Sequence, residues 1–411
     1  MIEQVTVGVD VGCHRHRVAI AAPDGKFVEE FDIPADSEGF KYFFGRLDFY
    51  RKSFDVPIVV AMEGHGGYAR PLDSCVQESG YTLLNVNNLK LCRFKEIFSS
   101  PAKTDAIDAR KIALLARTQD VLSPSKEVLQ EVRDVPEEHQ VLKRLTRRRR
   151  QLVDEKVVVL NRMQADLQAV SPGLADMVEY KDGVAFLNLL TCRPNLQDLS
   201  RLDKKELLSI RGIGEAFAGR VIKWQKKAYF SREVAYVGPM IMEDARRIIE
   251  IKKSINELEE KIEDILKSSR LAETIGSIPG FGAVCTAELV AEIGTMERFS
   301  SERSLALYLG MAPLDKSSGK CQGTRTPTQI NKRGKAAMMT AVAHNIRKVE
   351  ESKRYYQKKR DEGKSHNQAV RALGRHMIRV IWSMAKRNEA YQIREDESKT
   401  CSDEACAAIP A

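Results

Sequence analysis

The run Val5-Thr-Val-Gly-Val-Asp10, an apolar strand that stops on a carboxylate, constrains this chain more than any other stretch. Alternating β-branched residues favour a buried, pleated strand, and Asp10 stands at its end beside Gly12. Arg17 to Ala22 reads as a second strand, Pro23-Asp-Gly25 as a turn, and Phe27 to Phe31 as a third strand. Connections this tight make the three an antiparallel meander. An amphipathic helix then fits Ser37 to Phe49, a fourth strand Pro57 to Met62, a helix Tyr68 to Ser79 and a fifth strand Tyr81 to Val86.

Three strands followed by alternating helices and strands is the element order of the ribonuclease H superfamily. In such a sheet the first and fourth strands are parallel neighbours, so Asp10 and Glu63, which closes Val59-Val-Ala-Met-Glu63, emerge at one edge. Lys103-Thr-Asp-Ala-Ile-Asp-Ala-Arg110 adds Asp105 and Asp108, three apart and therefore on one face of a helix beginning near Thr104. Four converging carboxylates raise one another's pKa unless a cation neutralises them. Hard oxygen donors suit Mg²⁺ or Mn²⁺, and a pair of such ions activates an attacking oxygen and stabilises the leaving oxygen of a phosphodiester. Taken singly, each carboxylate has a plainer reading as a dipole partner, a turn residue or a helix cap. Their joint placement favours the site. Gly8-Val-Asp-Val-Gly12 also fits the first phosphate loop of actin-like ATPases and sugar kinases, but no second Asp-x-Gly loop and no adenosine-binding glycine cluster follows.

With 411 residues there is room for two or three domains. Residues 1–120 form the α/β ribonuclease-H-like part. Residues 121–270 turn to charged helix, with a smaller insert near 175–240 and a seam at Ile248, Ile251, Ile255, Leu258, Ile262 and Ile265 that reads as a short coiled coil. Residues 271–395 form a mostly helical, basic third part with a polar loop at Ser317 to Thr328, and residues 396–411 read as a disordered tail. No apolar run spans a membrane and no secretory leader opens the chain, so a cytoplasmic protein is expected. The 8 cysteines show no zinc spacing and read as free thiols.

Asp10, Glu63 with the following Gly-His-Gly-Gly-Tyr68, and Lys-Thr-Asp105-Ala-Ile-Asp108-Ala-Arg resemble the Asp-Glu-Asp-Asp transposases of the insertion sequence 110 family. Ile278-Pro-Gly-Phe-Gly282 and Tyr308-Leu-Gly-Met-Ala-Pro313, followed by Ser317-Ser318-Gly319, resemble that family's C-terminal transposase domain. The resemblance implies a RuvC-like metal domain acting with a C-terminal nucleophilic serine, which by position is Ser318. It further implies recombination of target and donor DNA, guided by an element-encoded structured bridge RNA, by a homo-oligomer (dimer or tetramer) at the bacterial nucleoid. Without the resemblance, Ser317 and Ser318 read as turn residues. The alternatives are a RuvC-like nuclease using metal-activated water, or a nucleic-acid-binding protein without catalysis.

A formal charge of +9 and a pI near 9.0 suit a polyanionic partner. Lys143, Arg144, Arg147, Arg148, Arg149 and Arg150 form the densest basic run, too dense for solubility alone, and are expected to meet a polyphosphate. Lys320, Arg325, Lys332, Arg333 and Lys335 flank the serine, where DNA is expected, and more basic residues follow as far as Arg379. Ile-Pro-Gly280-Phe-Gly282 and Ile210-Arg-Gly-Ile-Gly214 fit helix-hairpin-helix turns whose amides approach a phosphate, or ordinary helix connections.

Overall fold

The structure is a computed structural model that describes residues 3–64, 70–97, 105–122, 129–318, 321–325, 327 and 330–392. It divides into two units, Met1–Asp134 and Val135–Ala411.

The first unit runs β1 (Val5–Val11), β2 (Arg15–Ala21), β3 (Phe27–Pro34), α1 (Ser37–Phe54), β4 (Ile58–Glu63), α2 (Arg70–Glu78), β5 (Thr82–Val86), α3 (Asn88–Lys95), α4 (Asp105–Leu122) and β6 (Gln130–Glu131). Its sheet has the order β3-β2-β1-β4-β5-β6, with β1, β4 and β5 parallel and the others antiparallel. This is the mixed sheet expected from the element order. Because side chains alternate across a strand, β1 serves two layers. Val5, Val7 and Val9 pack with Phe43 and Leu47 of α1 and with Leu72 and Val76 of α2. Val59 and Ala61 of β4 and Leu84 and Val86 of β5 pack with Ile112, Leu115 and Ala116 of α4 on the opposite face.

Gly8 lets α4 lie directly on the sheet. A Cβ at this position would stand 2.1 Å from the carbonyl oxygen of Ala109 and 2.6 Å from the amide nitrogen of Ala113. Only glycine leaves room for backbone at that range. The unit extends past the expected boundary at 120 because Leu129 is buried in the α4 layer and β6 pairs with β5.

The second unit runs α5 (Glu137–Val170), α6 (Val184–Thr191), α7 (Lys204–Ser209), α8 (Glu215–Gln225), α9 (Val234–Leu266), α10 (Arg270–Gly276), α11 (Ala283–Ile293) and α12 (Glu302–Tyr308). A hairpin of β7 (Leu314–Ser318) and β8 (Cys321–Arg325) follows, then α13 (Lys332–Lys348), α14 (Glu350–Asp361) and α15 (His366–Arg387). The long helices α5 and α9 are antiparallel, since Arg149 pairs with Glu259 while Arg162 pairs with Asp244. The isoleucine seam is used inside the chain: Ile248, Ile251 and Ile255 are buried with Leu152, Val159 and Met163 of α5 and with the insert. The N-terminal half of the seam is therefore covered by α5 of the same chain and by the insert. A separate core gathers α10 to α13 and α15 around Leu142 and Ile262.

The stretch expected as a polar loop is a β-hairpin, with Ser317 opposite Gln322 and Ser318 opposite Cys321. Only two positions separate the strands, the spacing at which paired strands are most readily joined. Gly319, Lys320 and the tail at 396–411 lie outside the described residues. Among the described residues no helix is long and apolar enough to cross a membrane.

A candidate carboxylate site and a serine-bearing hairpin

Backbone register brings the acidic positions together. β1 and β4 pair in parallel with Val9 opposite Met62, which sets Asp10 and Glu63 side by side at the next position. Glu63 follows Val59 and Ala61 on the face that α4 covers, and Asp10 follows Gly8 onto that same face. Asp108 immediately precedes Ala109, the residue whose carbonyl oxygen comes closest to Gly8. Backbone placement thus puts Asp10 and Glu63 at the carboxyl ends of two parallel strands on the face that α4 covers, with Asp108 in the first turn of α4, which starts at Asp105.

Asp108 is only 7% exposed, a costly place for a carboxylate without a counter-charge. Lys95, at the last position of α3, supplies it with Nζ 2.8 Å away. The counter-charge of Asp108 is thus a lysine, while the carboxylates of Asp10 and Glu63 are donors of the hard kind that Mg²⁺ or Mn²⁺ prefers. The side chain of Asp105 lies outside the described residues, and among those described no three donors close into a metal-binding group.

Ser318 occupies the last position of β7, at the tip of the hairpin; its side chain lies outside the described residues. The hairpin leaves the helical core after Tyr308 and returns at Asn331, and these two feet are tied together. The Asn331 amide N–H donates to the Tyr308 carbonyl at 2.8 Å, and Asn331 Oδ1 caps α13 by accepting from Gly334 N at 2.9 Å. Next to them lies Glu292, whose side chain is 2% exposed. Burial pushes the Glu292 carboxyl up, but hydrogen bonds from Arg147 and Asn331 outweigh it and hold the group below its ordinary value.

The basic run of α5 is largely committed within the chain. Arg147 donates to Glu292 through Nε and Nη2 at 2.9 and 3.0 Å, Arg150 Nη2 donates to Glu288 at 2.8 Å, and Arg149 Nε donates to Glu259 at 2.7 Å. Arg147, Arg149 and Arg150, expected to meet a polyphosphate, are paired here with buried carboxylates of α11 and a glutamate of α9. Burial, with repulsion from Arg147, lowers the pKa of Lys143. Arg144 and Arg148 are exposed, as are Arg325, Lys332 and Arg333 around the hairpin, whereas Lys335 is partly buried with its pKa lowered by burial and by Arg371. Lys320 lies outside the described residues.

Gly280 is also corrected. It is buried at φ +94°, and a Cβ there would stand 2.4 Å from the Asn345 amide nitrogen, so its role is packing against α13. Gly282 is exposed at the N-cap of α11.

Lys95 and Glu292 escaped the sequence reading. Glu288 and Glu292, four apart in the otherwise apolar Ala283–Ile293, carried the signal for buried ion pairs, and Arg147 and Arg150 have the matching helical spacing on α5. Lys95 carried none that is readable locally.

Two family models match the chain. One described as "Transposase", of the DEDD IS110 type, covers residues 7–172; one described as "Transposase IS116/IS110/IS902 family" covers residues 272–357. The chain is 25% identical over 93% of its length to an uncharacterised 44.8 kDa protein of insertion element IS116 from Streptomyces clavuligerus, covering 95% of that protein. It is 26% identical to an uncharacterised 42 kDa protein of IS900 from Mycobacterium paratuberculosis, over 95% of this chain and 98% of the relative. It is also 26% identical to an uncharacterised 43.6 kDa protein of IS110 from Streptomyces coelicolor, over 95% of this chain and 96% of the relative. Among solved structures, T. thermophilus RuvC in complex with a Holliday junction substrate aligns with 13% identity over 31% of this chain and 99% of its own, at a TM-score of 0.24.

Proposed function

The chain belongs to the IS110 family of transposases, and from that premise we propose that it breaks and rejoins DNA through Ser318, beside a divalent cation held by Asp10, Glu63, Asp105 and Asp108. The observation that carries this reading is the shared face of Asp10, Glu63 and Asp108, fixed by strand register and by the close approach of α4 at Gly8.

The chemistry follows from what each group has to do. The Ser318 hydroxyl attacks a DNA phosphorus, forming a serine–phosphate ester as the bond to one deoxyribose oxygen breaks; the departing oxygen takes up a proton. A hydroxyl on another strand then attacks the same phosphorus and releases the serine, so the number of phosphodiester bonds is unchanged. Asp10, Glu63, Asp105 and Asp108 would hold Mg²⁺, which would supply positive charge for the attacking and leaving oxygens. A carboxylate of the same set would accept the proton that the serine loses. No histidine stands next to Ser318 in sequence to serve as its base, so hydroxyl and carboxylates have to meet in the assembled enzyme. A homo-oligomer, dimer or tetramer, gives each carboxylate set a serine.

A structured bridge RNA encoded by the element would choose target and donor DNA. The exposed cations Arg144, Arg148, Arg325, Lys332 and Arg333, with Lys320, would receive the two nucleic acids. The work is done on the bacterial nucleoid, in the cytoplasm.

Trapping the protein on supercoiled DNA with Mg²⁺ tests the reading. A DNA strand covalently attached to the wild type, lost in Ser318→Ala with DNA affinity retained, supports it. Strand cleavage by Ser318→Ala at the wild-type rate with no protein-linked product refutes the serine and leaves hydrolysis by metal-activated water.

A further inference from the structure

We propose that Glu292 is a positioning residue for strand cleavage: together with Tyr308 and Asn331 it clamps both feet of the serine hairpin and seats them on Arg147 of α5. This inference rests on Ser318 being the nucleophile, as argued above.

Glu292 sits in the last turn of α11, where a carboxylate is tolerated only if its oxygens are matched by donors. They are matched from the exit of the hairpin and from the long helix, and the backbone carbonyl of the same residue takes a bond from the entry. Oε1 accepts from Arg147 Nε, while Oε2 accepts from Arg147 Nη2 and from Asn331 Nδ2 at 2.7 Å. The Tyr308 hydroxyl donates to the Glu292 carbonyl at 2.8 Å and accepts from Asn331 Nδ2 at 2.7 Å. Tyr308 ends α12 just before the hairpin and Asn331 caps α13 just after it, so one residue, Glu292, meets the exit through its carboxylate and the entry through its backbone carbonyl.

Packing removes the remaining play. A Cβ at Gly334 would stand 2.6 Å from Leu309 Cδ2, and one at Gly310, at φ +64°, 2.9 Å from Ile330 Cδ1. Arg298 lies over the Tyr308 ring at 4.9 Å.

A network of this kind is a poor way to gain stability alone, because a buried ion pair is often replaceable by apolar side chains without loss. What it provides is direction: the planar fork of Arg147 fixes the carboxylate plane, and the carboxylate fixes the asparagine. A nucleophile displaced by about 1 Å loses on the order of 10²-fold in rate. A hairpin carried at its feet needs such a fixed base.

Two mild variants test the clamp. Asn331→Asp keeps the cap on α13 but sets a second carboxylate against Glu292, and Tyr308→Phe removes only the hydroxyl. The readouts are the single-turnover rate of the covalent DNA adduct at saturating DNA, the affinity for that DNA, and the unfolding temperature. We expect Asn331→Asp to slow adduct formation on the order of 10²-fold, and Tyr308→Phe to slow it less, both with DNA affinity and folding retained. Adding Glu292→Gln to Asn331→Asp restores a donor facing an acceptor and is expected to recover part of the rate. Wild-type adduct rates in both single variants overturn the proposal, as does a double variant slower than Asn331→Asp alone. Loss of the adduct in Ser318→Ala, measured in parallel, shows that such a result removes the clamp and not the serine.

Discussion

Gly8→Ala is the sharpest perturbation of the first unit, because its clash is with backbone and not with a side chain that can rotate away. The new methyl would lie 2.1 Å from the Ala109 carbonyl oxygen and 2.9 Å from Ala113 Cβ. Ordinary contact distances are about 3.3 Å or more, so α4 has to withdraw by about 1 Å. Overpacking of this kind costs about 1–3 kcal/mol, a large part of a domain's stability. Asp108 precedes Ala109 and moves with it, away from Asp10 on β1. At a reacting centre a shift of about 1 Å costs on the order of 10²-fold in rate. Gly45→Ala is the matched control: Gly45 is exposed within α1 and a Cβ there meets nothing within 4 Å. That substitution should stabilise by about 0.5–1 kcal/mol through helix propensity alone. Urea unfolding and Mg²⁺-dependent adduct formation are to be measured on both. If Gly8→Ala unfolds at the wild-type midpoint and reacts at the wild-type rate, the close approach of α4 does not build the site.

Further outcomes follow from the ion pairs. Removing Lys95 as Lys95→Met leaves buried Asp108 without its cation, at a cost of about 3–5 kcal/mol in metal-free protein; Mg²⁺ should then raise the melting temperature more than in the wild type. Equal shifts in the two proteins would show that the ion does not answer Asp108. Arg147→Ala is expected to lose about 3–5 kcal/mol by stranding Glu292, whereas exposed Arg148→Ala stays within about 0.5 kcal/mol and reduces the salt dependence of nucleic-acid binding by about one ion. Reversed effects in unfolding and salt-titration experiments would return Arg147 to the nucleic-acid surface. Glu292 has a depressed pKa in the folded chain, so its contribution is present above its unfolded value near 4.5 and is lost as pH falls through the folded value. The stability gap between wild type and Glu292→Gln should therefore shrink with acidification, and a constant gap down to about pH 3 speaks against a paired carboxylate.

The first unit was legible because its signals are local and periodic. The alternation in Val5 to Val9, the acidic strand ends and the element order led directly to parallel β1 and β4 with Asp10 beside Glu63. Gly8 could have been read as well, since a glycine inside an apolar strand marks close approach of other backbone. The second unit hides more. A dense basic run has the same composition whether it faces solvent or a row of buried glutamates, and the choice depends on α11, more than a hundred residues away from α5 in sequence. The hairpin reads as a loop in the sequence because Asp315, Lys316, Gly319, Lys320 and Gly323 are of types depleted in strands, and pairing across a two-residue gap overrides that preference. The isoleucine seam was found, but its partner is α5 of the same chain, which the heptad pattern alone does not specify.

Direct titration with Mn²⁺, followed by its paramagnetic signal, examines the carboxylate site with no DNA, RNA or serine chemistry involved. Binding by the wild type that weakens at least about tenfold in Asp10→Asn, in Glu63→Gln and in Asp108→Asn is expected of side chains that share one ion. Wild-type affinity in all three variants would mean that the acidic positions at the ends of β1 and β4 and on α4 hold no common cation.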